Sequence, residues 1–148
     1  MFKNILVPTD GSELSRKAAQ RAVALAKSVG ARVTAFHAAP AYHPEVNDDY
    51  LPRNYLSPTQ FAARTKDVSE KFLDAVTKAA AAAGVACDTY YVNSDFAAEA
   101  IVKAAKKCKC DGIVMASHGR TGLSHFVLGS QTQKVIASTK LPVVVLRS

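Results

Sequence analysis

The sequence predicts an α/β fold in which a parallel sheet is covered by helices on both faces. Five short apolar runs alternate along the chain with four helical patterns, and strict alternation implies right-handed crossovers between parallel strands. The length of 148 residues suits one domain, and a composition of 49% hydrophobic and 21% charged residues is typical of a packed globular core. We therefore expect one domain over residues 1–148, a three-layer α/β/α sandwich with a five-stranded parallel sheet.

The amino-terminal segment is predicted to form a buried strand followed by a helix. The run Lys3–Val7 is mostly apolar and is closed by Pro8 and turn-forming residues. Ser12 is a favourable N-cap, and apolar residues then recur at spacings of three and four until Gly30. This pattern predicts an amphipathic helix that begins after Ser12 and ends at Gly30.

A second strand and a long connection follow. The second strand is predicted over Arg32–Ala39, and four prolines interrupt the next residues, 40–58. Because proline cannot continue a regular element, this stretch is predicted to be a long loop. Its acids and tyrosines suit a lid or a partner surface, and a merely variable crossover is the alternative.

Another helix and the third strand come next. The stretch Thr59–Ala83 repeats apolar residues at helical spacing, with Val68 among those predicted to face the core, and Gly84 marks its end. Val85–Val92 is predicted to be the third strand, and Ser94 to cap the helix after it.

The remaining quarter of the chain is predicted to hold two strands and a helix. The fourth strand is predicted over Asp111–Ala116, the loop 117–128 follows, Ser130 opens a helix, and Pro142–Leu146 forms the fifth strand. In parallel sheets, ligands bind outside the carboxyl ends of the strands where the strand order reverses. We therefore expect a site at the loops after the first and fourth strands.

The loop after the fourth strand has the composition of an anion site. Gly119, Gly122 and Gly129 let the backbone take positive φ and approach a ligand closely. The helix start at Ser130 points its N–H groups at an incoming phosphate, and Arg120 adds a cation. The alternative is structural, because Ser130 with a glutamine three residues later matches a capping box and glycines mark ordinary turns.

The loop after the first strand carries a carboxylate, Asp10, at the strand's carboxyl end. Asp10 is suited to ribose hydroxyls or to a metal-bound water, and closing an Asx-turn ahead of the helix is the alternative. The chain contains neither the P-loop pattern nor the glycine pattern of dinucleotide-binding folds. These two classes are therefore excluded.

Catalytic, metal-binding and nucleic-acid functions receive less support from the residues. His118 lies near serines, but no nucleophile elbow is present and no acid is placed to orient its imidazole. His37 is interpreted as a hydrogen-bonded core residue, and Cys108 and Cys110 lack the further ligands that zinc needs. The net charge of +7 attracts anions, but the basic residues are spread over helix faces without a recognition motif.

Composition also bears on location. The chain has no apolar run long enough to span a membrane and no secretory leader pattern. Its three cysteines are an odd number and do not form a disulfide framework. We expect a cytoplasmic protein.

Three segments together resemble the universal stress protein family. They are Ile-Leu-Val-Pro-Thr-Asp-Gly-Ser at 5–12, Asp-Gly-Ile-Val-Met-Ala-Ser-His-Gly-Arg-Thr-Gly at 111–122 and Pro-Val-Val-Val-Leu at 142–146. Nucleotide-binding members share a glycine, two residues, a second glycine, nine residues, and then glycine with serine or threonine. Gly119 and Gly129 match the second and third glycines, and Ala116 stands where the first is expected.

The resemblance implies an adenine-nucleotide α-hydrolase-like fold with strand order 3-2-1-4-5. It implies a stress-response regulatory module that binds ATP or another adenine nucleotide, with Mg²⁺ on the phosphates and at most slow hydrolysis. It also implies a homodimer joined along Pro142–Leu146. A nucleotide-free dimeric interaction protein, favoured by Ala116, is the alternative. The residues that the resemblance places at the nucleotide are Pro8, Thr9, Asp10, Ala38, Met115, Ala116, His118, Gly119, Arg120, Gly129, Ser130 and Gln131.

Overall fold

The structure is a computed structural model that describes residues 1–44, 55–119 and 127–147. Strands and helices alternate along these residues, as predicted. The strands are β1 (Asn4–Pro8), β2 (Arg32–Ala39), β3 (Cys87–Asn93), β4 (Gly112–Ala116) and β5 (Val143–Leu146). The helices are α1 (Glu13–Val29), α2 (Pro58–Ala83), α3 (Ala97–Lys107) and α4 (Ser130–Ser138). None of these helices combines the length and the apolar character that crossing a bilayer requires.

The five strands pair in the order β3-β2-β1-β4-β5, and every pair is parallel. The predicted fold class and strand order are therefore confirmed. From the centre of the sheet, β1 leads outward to β2 and β4 leads outward to β5 on the other side. The carboxyl ends of β1 and β4 thus flank the point where the strand order reverses, and a crevice forms there.

The two faces of the sheet bury separate halves of the core. On β1, Ile5 and Val7 belong to the cluster beneath α1 and α2, whereas Leu6 belongs to the cluster beneath α3 and α4. All three side chains are fully buried. This alternation follows from the two-residue period of a strand and makes β1 apolar on both faces.

The buried face of α2 differs from the sequence prediction. Val68 is 39% exposed, while Thr65, Ser69 and Leu73 are buried. Because α2 packs against α1 as well as against β2 and β3, small polar residues line its inner face and permit close packing of the two helices. Apolar periodicity alone placed this face about one residue away from its true position.

The start of α3 is also capped differently from the prediction. The N-cap is Phe96, and the Ser94 hydroxyl accepts a hydrogen bond from the Phe96 N–H at 3.1 Å, in the turn before the helix. The N–H of Ala98 donates instead to the side-chain oxygen of Gln131 on α4, at 3.1 Å. A distant residue on α4 therefore satisfies one of the first N–H groups of α3, in place of the local cap predicted at Ser94.

Both flanks of the connection after β2 are held in place. The Tyr42 hydroxyl donates to the Leu56 carbonyl at 2.8 Å, and its ring packs on Phe61 with centroids 5.1 Å apart. On the other side, the Asp95 carboxylate accepts from the N–H of Ala41 and pairs with His43. Residues 45–54 lie outside the described residues, so the choice between a lid and a variable crossover stays open.

Candidate functional site

A cavity of about 370 Å³ opens at the crevice between β1 and β4. Eleven of the twelve residues predicted to contact the nucleotide line it, and Arg120 lies outside the described residues. These eleven are Pro8, Thr9, Asp10, Ala38, Met115, Ala116, His118, Gly119, Gly129, Ser130 and Gln131. The tertiary structure thus brings residues from both predicted loops and from the end of β2 to one place.

The loop between β1 and α1 is organised by its own hydroxyl groups. The Gly11 N–H donates to Thr9 Oγ1 at 3.2 Å, and Ser15 Oγ donates to the Ser12 carbonyl at 2.9 Å. The two hydroxyl oxygens, Thr9 Oγ1 and Ser15 Oγ, lie 3.1 Å apart. Since the single Ser15 proton is already committed, Thr9 must donate to Ser15. Both protons are therefore used within the loop.

Asp10 lies where this loop approaches the one after β4. Its Oδ1 accepts from the Ser12 N–H at 2.9 Å, so the predicted Asx-turn exists. A Cβ atom added to Gly119 would lie 2.6 Å from Asp10 Oδ2, closer than real contacts allow. Glycine at position 119 therefore lets the second loop come up against the Asp10 carboxylate.

The first turn of α4 is attached to the end of β4. The Gly129 N–H donates to the Ser117 carbonyl at 2.8 Å, and the buried Thr132 hydroxyl lies within hydrogen-bond distance of the Ala116 and Ser117 carbonyls. In a helix that starts at Ser130, the N–H groups of residues 130–132 have no carbonyl partner within the helix. All three of these residues line the cavity, so the positive end of the α4 dipole lies beside it.

The capping-box alternative is not realised at this helix start, and the prediction of positive φ at Gly129 is wrong. No capping box forms, because the N-cap is Gly129 and the side-chain N–H of Gln133 donates to the Leu128 carbonyl at 2.7 Å. Gly129 does not have positive φ either, since its φ is −57°. A Cβ atom there would lie 3.0 Å from the Cα of His118 and 3.1 Å from the Ser117 carbonyl oxygen. Close approach of two backbone segments, and not a special conformation, therefore favours glycine.

His118 and Gln131 have partners inside the protein as well as positions on the cavity wall. Nδ1 of His118 lies 2.9 Å from the buried Ser117 hydroxyl, which restricts the orientation of the imidazole. The side-chain oxygen of Gln131 accepts from the N–H of Ala98, as described above. Gln131 thereby joins the first turns of α3 and α4 on the two sides of the opening.

Sequence reasoning missed eight residues that line the cavity. They are Ser15, Phe36, His37, Ala97, Ile101, Val127, Leu128 and Thr132. Ala97 and Ile101 lie four apart on α3, and this helix covers the same face of the sheet as Phe36 and Met115. The spacing alone identifies one helix face, but only the packing of α3 shows that its first turn reaches the site.

The cavity wall is apolar on one side and polar on the other. Phe36, Ala97, Ile101 and Met115 form apolar surface, which suits a flat heterocyclic ring. Among the described lining residues, Asp10 is the one acid, and none is a lysine or arginine. In the described part of the chain, no three His, Cys, Asp or Glu residues are grouped as a metal site. Asp10 therefore has the donor chemistry to share a cation with a bound ligand, but these residues do not enclose one.

Comparison with known proteins gives a consistent result. The family model described as "Universal stress protein family" matches residues 1–147. A universal stress protein of Thermus aquaticus is 36% identical over 147 residues, which cover 99% of this chain and 100% of that protein.

Solved structures with the same fold include hypothetical protein MJ0577 of Methanocaldococcus jannaschii. It has a TM-score of 0.81 and 26% identity, covering 100% of this chain and 97% of that one. A universal stress protein from Archaeoglobus fulgidus, solved in complex with dAMP, has a TM-score of 0.69 and 17% identity, with 98% of both chains covered. Two further neighbours are complexes with cAMP (20% identity, TM-score 0.71) and AMP (16% identity, TM-score 0.68).

Proposed function

Because the chain belongs to the universal stress protein family, we propose that it is a stress-response regulatory module that binds an adenine nucleotide in the cavity between β1 and β4. The observation that carries the proposal is the convergence of eleven predicted nucleotide contacts on one cavity. Complexes of three structural neighbours with cAMP, dAMP and AMP support the ligand class. Which nucleotide is preferred depends on the phosphate end of the cavity.

The two sides of the cavity match the two ends of a nucleotide. The apolar wall beside Met115 and Ile101 takes the adenine ring, and the backbone at Ala38 lies at the end of β2 where the edge of the base is read. The N–H groups of the first turn of α4 face the phosphates. Asp10, which lies where the two loops approach each other, faces the ribose or the first phosphate.

ATP with Mg²⁺ is the form we propose for the bound ligand. The Asp10 carboxylate would repel a nearby phosphate, and a shared Mg²⁺ would turn this repulsion into attraction. Mg²⁺ commonly keeps several waters and binds through one or two carboxylates together with substrate phosphates. Asp10, the one carboxylate among the described residues of the cavity wall, is therefore sufficient for a Mg²⁺ ion that enters bound to the nucleotide. Hydrolysis of ATP is not part of this proposal, because no described residue is identified as the base.

A second candidate is a nucleotide-free interaction protein with the same fold. Two observations favour it. Ala116 lines the cavity at the position where the nucleotide-binding pattern has its first glycine. Its methyl group narrows the cavity at the end of β4. The described wall also offers no lysine or arginine to phosphate.

Ligand release followed by calorimetry separates these candidates. The purified protein is denatured, and small molecules released from it are identified and counted by mass spectrometry. An adenine nucleotide near one per chain, or a calorimetric signal for ATP with Mg²⁺, is the expected outcome. No released nucleotide together with no heat for ATP, ADP, AMP or cAMP would overturn nucleotide binding and leave the interaction protein.

We also propose a homodimer through β5. This strand ends the sheet on one side, and its four residues are only partly buried in the isolated chain. An apolar edge strand invites pairing with a second copy. Val144→Lys should give monomers by light scattering at low micromolar concentration, and a folded variant that stays dimeric would contradict this interface. The cytoplasmic location remains a prediction.

A further inference from the structure

His37 links the nucleotide cavity to the loop that carries Asp10. It lies near the carboxyl end of β2, is 6% exposed, and lines the cavity. Its Nδ1 atom is 2.7 Å from the carbonyl oxygen of Thr9, the first residue after β1. The sequence-based view of a hydrogen-bonded core residue is correct but describes only part of the arrangement.

The hydrogen bond determines which ring nitrogen carries a proton. A backbone carbonyl oxygen can only accept, so Nδ1 of His37 must be the donor. Thr9 is thereby held at three points, because its N–H also donates to the Phe36 carbonyl at 2.8 Å and its hydroxyl accepts from Gly11. The loop residue before Asp10 thus has little freedom to rotate.

Holding the Thr9 carbonyl also orients Asp10. The Thr9 carbonyl and the Asp10 N–H belong to one planar peptide, and no described peptide bond is cis. The two groups therefore point in opposite directions, and the Asp10 N–H is turned away from His37. Rotation of this peptide would redirect the Asp10 N–H and displace the carboxylate that meets Gly119.

Phe72 of α2 packs against His37 and against Gly11 of the loop after β1. Its ring packs edge-on against His37, with centroids 5.0 Å apart and an interplanar angle of 89°. A Cβ atom added to Gly11 would lie 2.3 Å from the same ring. Aromatic packing of this kind restricts the imidazole to one plane. The donor is therefore fixed in direction as well as in protonation.

We propose that His37 is a positioning residue of the cavity, which orients the Thr9–Asp10 peptide through its Nδ1–H group. This inference rests on the proposed function and deepens it, because it names a residue that sets affinity. Loss of the donor should weaken binding about fivefold to tenfold, the effect expected for one hydrogen bond that organises a site.

Two substitutions distinguish the contribution of the Nδ1–H donor of His37 from that of its imidazole ring. In His37→Asn, the amide nitrogen stands at the same bond distance from Cα as Nδ1 and can donate to Thr9. In His37→Gln, the amide nitrogen corresponds to Nε2 and cannot reach that carbonyl. Thr34→Val is the matched control, because it removes a buried 3.0 Å hydrogen bond to Asn4 at the other end of the same strand.

The experiment measures ATP affinity with Mg²⁺ by calorimetry, after circular dichroism shows that each variant is folded. The expected result is weakened binding by His37→Gln, affinity within about twofold of the parent for His37→Asn, and unchanged affinity for Thr34→Val. Equal affinity of the Asn and Gln variants would overturn the proposal. So would a loss in Thr34→Val as large as that in His37→Gln.

A ligand-free measurement keeps this inference distinct from the proposed function. If the parent binds no nucleotide, the proposed function fails, but the amide signal of Asp10 in ¹⁵N NMR spectra still reports the peptide orientation. We expect this signal to move in His37→Gln and to stay near its parent position in His37→Asn and Thr34→Val. An unmoved signal in His37→Gln would overturn the positioning role.

Discussion

Polar residues are arranged differently at the two ends of the parallel strands. We call the side where the strands begin the amino edge and the side where they end the carboxyl edge. At the amino edge, the Asp111 carboxylate accepts from the N–H groups of Lys3 and Asn4. The buried Asn4 side chain donates to the Cys108 carbonyl and accepts from the Thr34 hydroxyl, both at 3.0 Å. Side chains from distant segments therefore close this edge.

At the carboxyl edge, the side chains of the loop after β1 bond largely within that loop, and glycines stand where side chains would fill the space. Thr9, Gly11, Ser12 and Ser15 bond to one another, and the glycines at 119 and 129 allow close contact between loops. The cavity remains open beside them. We infer that substitutions at the amino edge change mainly stability, whereas those at the carboxyl edge change mainly binding.

The largest effect on binding is expected for Gly129→Val. The backbone conformation of Gly129 suits any residue, but the new side chain would press on the His118 backbone 3.0 Å from its Cβ position. Displacement of the α4 start should weaken ATP binding at least about tenfold, measured by calorimetry.

Gly84→Ala is the matched glycine control for this change. Gly84 has φ of 71° and nothing within 4 Å of its Cβ position, so the substitution should cost about 1 kcal/mol of stability without weakening binding. Unchanged ATP affinity in folded Gly129→Val would remove the phosphate site from α4.

The largest effect on stability at the opposite edge is expected for Asn4→Ala. The change removes the side-chain partner of the Cys108 carbonyl and one partner of the Thr34 hydroxyl. The free energy of unfolding in urea should fall by about 2 kcal/mol, and the ATP affinity of the folded protein should stay the same. A clear loss of ATP affinity under conditions where the variant is fully folded would contradict the division of roles between the two edges.

Alkaline pH should also lower folding stability through a residue at the amino edge, Cys110. Burial raises the pKa of the Cys110 thiol to about 11 from its ordinary value of 9.0. The unfolded chain therefore releases this proton first, and stability should fall as pH rises from about 9 to about 11. Thermal unfolding across this range should show a smaller decline for Cys110→Ala than for the parent. Parallel curves would show that Cys110 does not control the decline.

Ala116→Gly is expected to improve binding at the carboxyl edge. Removal of one methyl group from the cavity wall should tighten ATP binding severalfold, or about 1 kcal/mol. The flexibility of glycine should lower folding stability by roughly 0.5–1 kcal/mol. Calorimetry at fixed ATP and Mg²⁺ compares the two proteins. Weaker binding by the glycine variant would mean that the methyl group contributes a favourable contact.

The smallest effect is expected for Lys109→Gly. Helices α1 and α2 end at glycines with φ of 71°, and α3 ends with the same hydrogen-bond pattern but with Lys109 at φ of 54°. Glycine relieves this backbone strain and should raise stability by roughly 0.5–1 kcal/mol, measured in urea. Lys109→Ala removes the charge without the relief, so an equal gain from alanine would assign the effect to charge.

Much of the fold could be predicted because its signals are local. The glycine stops at Gly30 and Gly84 and the N-cap at Ser12 are all present, and strand boundaries differ by at most two residues. The signals failed where a distant group intervened. Gln131 caps α3 in place of Ser94, and the packing of α2 against α1 turns Val68 outward.

The candidate site shows the same division. Its two loops were predicted because parallel strands place their carboxyl ends at one edge, and the resemblance named residues on both. The part played by His37 was not predicted, since its hydrogen bond to Thr9 spans 28 positions of the chain. Nor does sequence reveal that Gly129 is needed for contact with His118 and not for its dihedral angles.

Local signals in the sequence predict the alternation of strands and helices, the ends of the first two helices, the family and the two loops that line the cavity. Each of these depends on the identity and spacing of neighbouring residues. The three-dimensional arrangement is needed to see which face of α2 is buried, which groups satisfy the starts of α3 and α4, and how His37 orients the Asp10 loop. These depend on distances between segments far apart in the chain, because hydrogen bonds and steric contacts act over a few ångströms and do not follow sequence order.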